Sequence, residues 1–215
     1  MTTVKRTEWG ANDSISKAES LNDRNIPVKY LFIHHTAADR CFKKQDCIKR
    51  VKEVETYHLS KGFDDIGYNY LVGEDGNIYE GRGWRKVGAH TYGYNKISIA
   101  ICVLGNFVDK SPKTTAINAT KCLIKDALFD GILSEDFEMF GHMDVGRTLS
   151  PGQKLYDNIT LFPQFSTKVM QKYDGQKQER IDLRKFKYVI FSTLCKIHTI
   201  NKSAFVHLVK LPCWD

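Results

Sequence analysis

Between Val28 and His34, aromatic, aliphatic and β-branched residues crowd together, which predicts a strand running into a core and ending in His34-His35-Thr36. From Lys44 to Leu59 the apolar positions Ile48, Val51, Val54 and Tyr57 recur every three residues with charges between them. That pattern predicts an amphipathic helix with His58 at its end. Ile66 to Val72 and Asn77 to Glu80 read as strands joined through Glu74-Asp75-Gly76, where Asp-Gly is a strong hairpin signal. Ile97 to Leu104 is almost continuously apolar, as a strand buried on both faces must be. A second helix is predicted from Thr114 to Asp130, burying Ile117, Leu123, Ile124 and Leu128 and stopping at Gly131. A short strand, Phe137 to Gly141, would deliver His142 to a loop, and Ser150-Pro151 reads as an N-cap and first turn opening a third helix towards Thr160.

Strands interleaved with helices predict an α/β fold: a mixed, mostly parallel central sheet flanked by about three helices. With 215 residues, the chain has more length than one compact domain needs. Beyond Gln164 a lysine-rich polar stretch leads to the short apolar run Tyr188 to Leu194. The expected organisation is therefore a domain over residues 4–167 and a basic C-terminal extension of unknown role over 168–215.

A formal charge of +7 favours an anionic partner, without choosing among nucleic acid, a membrane surface or a carboxylate-rich cell-wall fragment. Basic residues are scattered apart from a richer stretch near Lys172 to Lys187, and no basic repeat is interleaved with aromatics, so nucleic acid is not expected. No run approaches the about 18 apolar residues of a membrane span, and no apolar leader follows Met1. The chain as it stands reads as cytoplasmic, or as secreted if a signal is missing. Of Cys41, Cys47, Cys102, Cys122, Cys195 and Cys213, none has the C-x-x-C spacing of a structural zinc site. Cys41 and Cys47 flank a short basic loop and are a candidate disulfide, which points to an oxidising compartment. Four N-x-S/T sequons start at Asn12, Asn118, Asn158 and Asn201, too short a motif to carry weight alone.

His34 at a strand end and His142 on a later loop are candidate ligands of one metal, because imidazole binds zinc and a strand end holds it rigidly. Two of seven histidines, taken alone, prove little. Read together with Arg6 to Ala11, Asp65-Ile66-Gly67-Tyr68-Asn69-Tyr70, Tyr79-Glu80-Gly81-Arg82-Gly83-Trp84, Gly88-Ala89-His90-Thr91, Tyr94-Asn95 and Thr148-Leu149-Ser150-Pro151-Gly152, they gain force. In order and spacing these segments resemble the successive motifs of peptidoglycan recognition proteins, from Val4 to Phe165.

The resemblance implies a zinc-amidase-like fold and a groove for peptidoglycan fragments. Active amidases of the family hold zinc with two histidines and a cysteine, and the matching positions here are His34, His142 and Ser150. A serine hydroxyl stays protonated near neutral pH and is a poor replacement for a thiolate. Loss of amidase activity is therefore expected, with no resident cofactor beyond weak residual zinc. Tyr68 and Thr148, which match residues assisting the amidase, would be vestigial.

Non-cutting members contact sugar and stem peptide at positions matching His35, Thr36, His58, Tyr68, His90 and Asn95, beside Ser150. Lys96 stands where diaminopimelate-selective members carry arginine, and Gly62-Phe63 is a hybrid of the pairs written for diaminopimelate and lysine. The expected function is an innate-immune receptor for diaminopimelate-type muropeptides, signalling through a ligand-induced homo- or hetero-dimer. The alternatives are a zinc-dependent N-acetylmuramoyl-L-alanine amidase that tolerates serine, and a serine peptidase using Ser150 with His142 as base.

Overall fold

The computed structural model describes residues 2–13, 16–21 and 25–171, so most of the 168–215 extension lies outside the described residues. Six strands appear in chain order: β1 (Thr3–Val4), β2 (Val28–His35), β3 (Tyr70–Val72), β4 (Ile78–Glu80), β5 (Ser98–Val103) and β6 (Leu133–Gly141). The helices are α1 (Arg6–Trp9), α2 (Lys44–Ser60), α3 (Thr114–Phe129) and α4 (Gln153–Ile159). The strands form one sheet in the order β1-β4-β3-β5-β2-β6. Every pairing is parallel except the β3–β4 hairpin. The expected mixed, mostly parallel α/β architecture is what the chain adopts.

All six residues of β5 are buried, as the apolar run demanded. Alternation along β2 then assigns two faces. Leu31 and Ile33 point into a core closed by Ala116, Ile117, Leu123 and Ile124 of α3 and Leu155 and Ile159 of α4. Phe32 faces the opposite way and packs with Tyr94, Ala100 and Phe140. Beside it, Leu71, Cys102 and Leu104 meet Cys47 and Val51 of α2 and Trp9. His34 lies on the Phe32 face and His35 on the α3 face, where its ring approaches Phe107.

Three expectations need correcting. The helix after Ser150 begins at Gln153, with Gly152 in the N-cap position at φ 86°. Ser150 is not its cap, because its hydroxyl is used elsewhere, as described below. In α2 the buried positions are Cys47, Val51, Glu55 and His58, whereas Tyr57 is 59% exposed. A strict spacing of three falls about 60° short of a full turn at each step, so Tyr57 has rotated out of the stripe. Ile97, read as strand, sits in a single 3-10 turn and is 44% exposed.

The Cys41–Cys47 disulfide is present and ties the loop after β2 to the first turn of α2. Against the later half of that helix, Arg6 bonds Asp65 and the Gly81 carbonyl, with Glu55 of α2 at 3.9 Å. This buried ion network fixes the N-terminal segment against α2. Past β6, Ser166 donates its N–H to the Met139 carbonyl, and the Tyr94 hydroxyl donates to the carbonyl of Gln171. The residues at the proposed domain boundary thus lie against the sheet.

Candidate functional site

Register explains the central feature. Parallel pairing of β2 with β6 sets Ile33 opposite Gly141, so the next residues along, His34 and His142, emerge side by side at the carboxyl ends of the strands. Their ring centroids are 4.4 Å apart. Tyr68 lies 5.3 Å from His34 and 5.4 Å from His58, and His90 lies 5.6 Å from His34. Phe63 stacks on His58 at 5.0 Å and 18°. Four histidines and two aromatics from separate parts of the chain therefore share one concavity. Its far wall is the exposed side of α2, where Arg50, Glu53 and Tyr57 line a pocket with Thr36, His58 and Tyr68.

Ser150 is bound to both histidine-bearing segments. Its hydroxyl oxygen accepts the His35 N–H at 3.2 Å, and its carbonyl accepts the Met143 N–H at 2.7 Å. Its own N–H donates to the Thr148 hydroxyl at 3.1 Å. The other site residues are held with equal definiteness. The Asn95 side-chain oxygen accepts the N–H groups of His90 and Thr91, fixing that turn. Thr36 accepts the N–H of Gly105, and His35 Nδ1 accepts that of Phe107. His58 Nδ1 accepts the N–H of Gly67, and a side chain on Gly67 would strike the Ala89 carbonyl.

Burial makes the histidines neutral. It lowers His34 well below the ordinary imidazole range, with His142 and His90 adding repulsion, and takes His90 to about 3. His35, His58 and His142 are lowered to about 4, again by burial first. The Tyr68 hydroxyl is raised well above its usual value by desolvation. Such a site offers neutral donors, neutral acceptors and ring faces, suited to amides and sugars.

Does this donor set suit zinc? A catalytic zinc takes three protein ligands and a water. Here two imidazoles stand beside a neutral hydroxyl that is already engaged by His35. Among the described residues no three His, Cys, Asp or Glu side chains are grouped to hold a metal. The residues present do not fit a catalytic zinc. Nor does an imidazole hydrogen-bond Ser150 among the described contacts, so the serine has no base positioned for nucleophilic attack.

Of the positions expected to touch ligand, His58, Phe63, Tyr68 and His90 join the His34–His142 cluster through ring contacts. Lys96 is exposed and its ammonium pairs with Glu19 at 3.1 Å, while Gly62, at φ 83°, has open space around it. Sequence reasoning missed Thr91, whose hydroxyl lies between His34 Nε2 at 3.1 Å and His90 Nδ1 at 2.9 Å. It also missed Asn69, fully buried, which bonds the carbonyls of Gly83 and Lys86 and the N–H of Ala100. A buried asparagine within an apolar strand pattern was the available signal.

Comparison with known proteins agrees with this geometry. The family described as N-acetylmuramoyl-L-alanine amidase matches residues 23–153. Mouse peptidoglycan recognition protein 3 is 44% identical over 161 residues, covering 74% of this chain and 45% of that protein, so the chain spans under half of that relative's length. The complex of peptidoglycan recognition proteins LCa and LCx with tracheal cytotoxin superposes with a TM-score of 0.74 at 38% identity, covering 77% of this chain and 99% of the other. Peptidoglycan recognition protein LE, solved with tracheal cytotoxin, a monomeric diaminopimelic acid-type peptidoglycan, gives 0.72 at 39% identity over 76% and 95%. By the family match and by these relatives, the chain belongs to the peptidoglycan recognition protein family, on an N-acetylmuramoyl-L-alanine amidase fold.

Proposed function

We propose that this protein is a receptor for peptidoglycan muropeptides, favouring the diaminopimelate type, and that it binds them without cutting. The observation that carries the reading is Ser150: it stands at the third donor position beside His34 and His142, and its hydroxyl cannot supply the anionic ligand a catalytic zinc needs. Residual zinc binding through the two imidazoles would be weak. The groove around the pair keeps its hydrogen-bonding residues and its stacked His58–Phe63 wall.

Preference for diaminopimelate rests on Lys96. Its present partner, Glu19, forms an exposed ion pair. Such pairs are worth about 1 kcal/mol or less, so a ligand carboxylate can displace Glu19 at small cost. That tracheal cytotoxin was solved bound to the ectodomain complex of LCa and LCx supports a ligand-induced homo- or hetero-dimer as the signalling form.

Calorimetry with two N-acetylmuramoyl tripeptides, one with diaminopimelate and one with lysine at position three, tests the reading. The diaminopimelate ligand should bind about tenfold more tightly, the worth of one charge-assisted contact. Lys96→Ala should erase that difference. Failure of both ligands to bind would refute the receptor reading, and an unchanged preference in Lys96→Ala would refute the role of Lys96.

A further inference from the structure

Of the four N-x-S/T sequons, those starting at Asn12 and Asn201 fall partly or wholly outside the described residues. The fold treats the other two differently. In Asn158-Ile159-Thr160 both polar side chains serve the local structure: Asn158 Nδ2 donates to the Lys154 carbonyl at 2.7 Å, and the Thr160 hydroxyl donates to the Asp157 carbonyl at 2.9 Å, closing the last turn of α4. Asn118-Ala119-Thr120 lies inside α3. Asn118 is exposed, and its side chain has no hydrogen-bond partner among the described residues. Thr120, two residues on, is turned about 200° round the helix. It is 2% exposed and sits on the stripe that Ala116, Leu123 and Ala127 bury against the sheet. Its hydroxyl reaches the Ala116 carbonyl one turn back, at 2.9 Å.

Neither residue serves the helix. Asparagine and threonine are weaker helix formers than alanine, and a threonine hydroxyl bonded back to the carbonyl four residues before slightly destabilises its helix. Alanine or valine at position 120 would fill the same apolar stripe and leave no hydroxyl to satisfy. Together, however, the two side chains make the acceptor signal for N-linked glycosylation, in which the threonine hydroxyl completes the motif and the asparagine amide is modified. That signal is read on the unfolded chain, before helix formation turns the two side chains to opposite sides. The Cys41–Cys47 disulfide belongs to an oxidising compartment, and the lumen where such bonds form is also where the transfer takes place.

We infer that Asn118 is an N-glycosylation site, with an oligosaccharide carried on a polyprenyl pyrophosphate as the donor. Asn118 Nδ2 attacks the anomeric carbon of that donor. The new carbon–nitrogen bond replaces the bond to the pyrophosphate oxygen, the lipid pyrophosphate leaves, and Nδ2 gives up one proton. After folding, the glycan stands on the outer side of α3. That helix packs on the face of the sheet that carries Leu31 and Ile33, whereas His34 lies on the opposite face with Phe32. Helix and sheet therefore separate the sugar from the histidine groove. The glycan leaves the groove open and bars the outer side of α3 from pairing with a partner subunit.

The test is made on the full chain carried through the secretory pathway of cultured eukaryotic cells. Its peptides are treated with peptide N-glycosidase in heavy-oxygen water, which converts a glycosylated asparagine to labelled aspartate, and are read by mass spectrometry. Most molecules should carry the label at Asn118. The label should be lost in Thr120→Val, which keeps the shape of the buried side chain, and should return in Thr120→Ser, which restores the hydroxyl alone. Asn158→Gln should leave it in place. Peptides are taken from cell lysate as well as from the medium, so a variant that folds poorly and is retained is still read. An unlabelled Asn118 in the wild type, or a label that survives Thr120→Val, overturns the inference. Neither result bears on the muropeptide-receptor reading, which rests on the groove.

Discussion

Acidification should destabilise this protein before most of its carboxylates titrate. In the native state burial lowers His35, His58 and His142 to about 4 and His90 to about 3. Two of these imidazoles also accept backbone N–H bonds, His58 from Gly67 and His35 from Phe107, which an imidazolium cannot do. In the unfolded chain each titrates near 6.5. Because the folded value lies below the unfolded one, the stabilisation is complete above about pH 6.5 and is lost as pH falls towards 4. At pH 5 the linkage relation gives a loss of about 2 kcal/mol for each histidine lowered from about 6.5 to about 4. If relaxation and water entry halve the effect of the four, the total is still about 4 kcal/mol, a large share of a typical domain's stability. Glu55, raised by burial, acts in the opposite sense and offsets part of this at the acid end. Urea unfolding followed by tryptophan fluorescence at pH 7.5, 6.0 and 5.0, at constant ionic strength, measures the loss, and His58→Gln should flatten the profile. A midpoint unchanged between pH 7.5 and 5.0 would refute the claim that these imidazoles are held neutral by burial.

Three further outcomes follow from particular contacts. Arg6→Met should cost about 3–5 kcal/mol in denaturant unfolding, because it strands Asp65 and Glu55 as buried carboxylates without their cation. Replacing Cys41 and Cys47 together by serine should cost about 2 kcal/mol, the loop entropy of so short a ring, with a matching fall in the wild-type midpoint under reductant. In Gly67→Ala the new Cβ would sit 2.5 Å from the Ala89 carbonyl and 3.4 Å from His58 Cε1, so about 1–3 kcal/mol of stability and muropeptide binding should be lost together.

Most of the sheet was legible because it obeys simple periods. The unbroken apolar run of β5 could only be central, and Asp75-Gly76 marked the one antiparallel pair. The first half of β6 was not legible: Glu135 and Asp136 are exposed at the sheet's edge and dilute the alternation that Phe137, Met139 and Phe140 make plain further on. Ser150-Pro151 misled because the dipeptide fits a helix start, whereas the serine hydroxyl answers a backbone group on β2, over a hundred residues away in the chain. Side-chain partners of that kind are set by strand register, which no local pattern reveals. His34 and His142 could be paired only through the order of the motifs, and Thr91 was invisible as a partner because its role lies in one hydroxyl shared between two rings.

The most direct test of the central claim is mass spectrometry of a diaminopimelate-type muropeptide incubated with the purified protein and zinc, beside a Ser150→Cys variant. The account predicts that the wild type leaves the muropeptide intact while Ser150→Cys, with a thiolate beside His34 and His142, releases the free stem peptide. Release of the stem peptide by the wild type would contradict it and make the protein a working amidase.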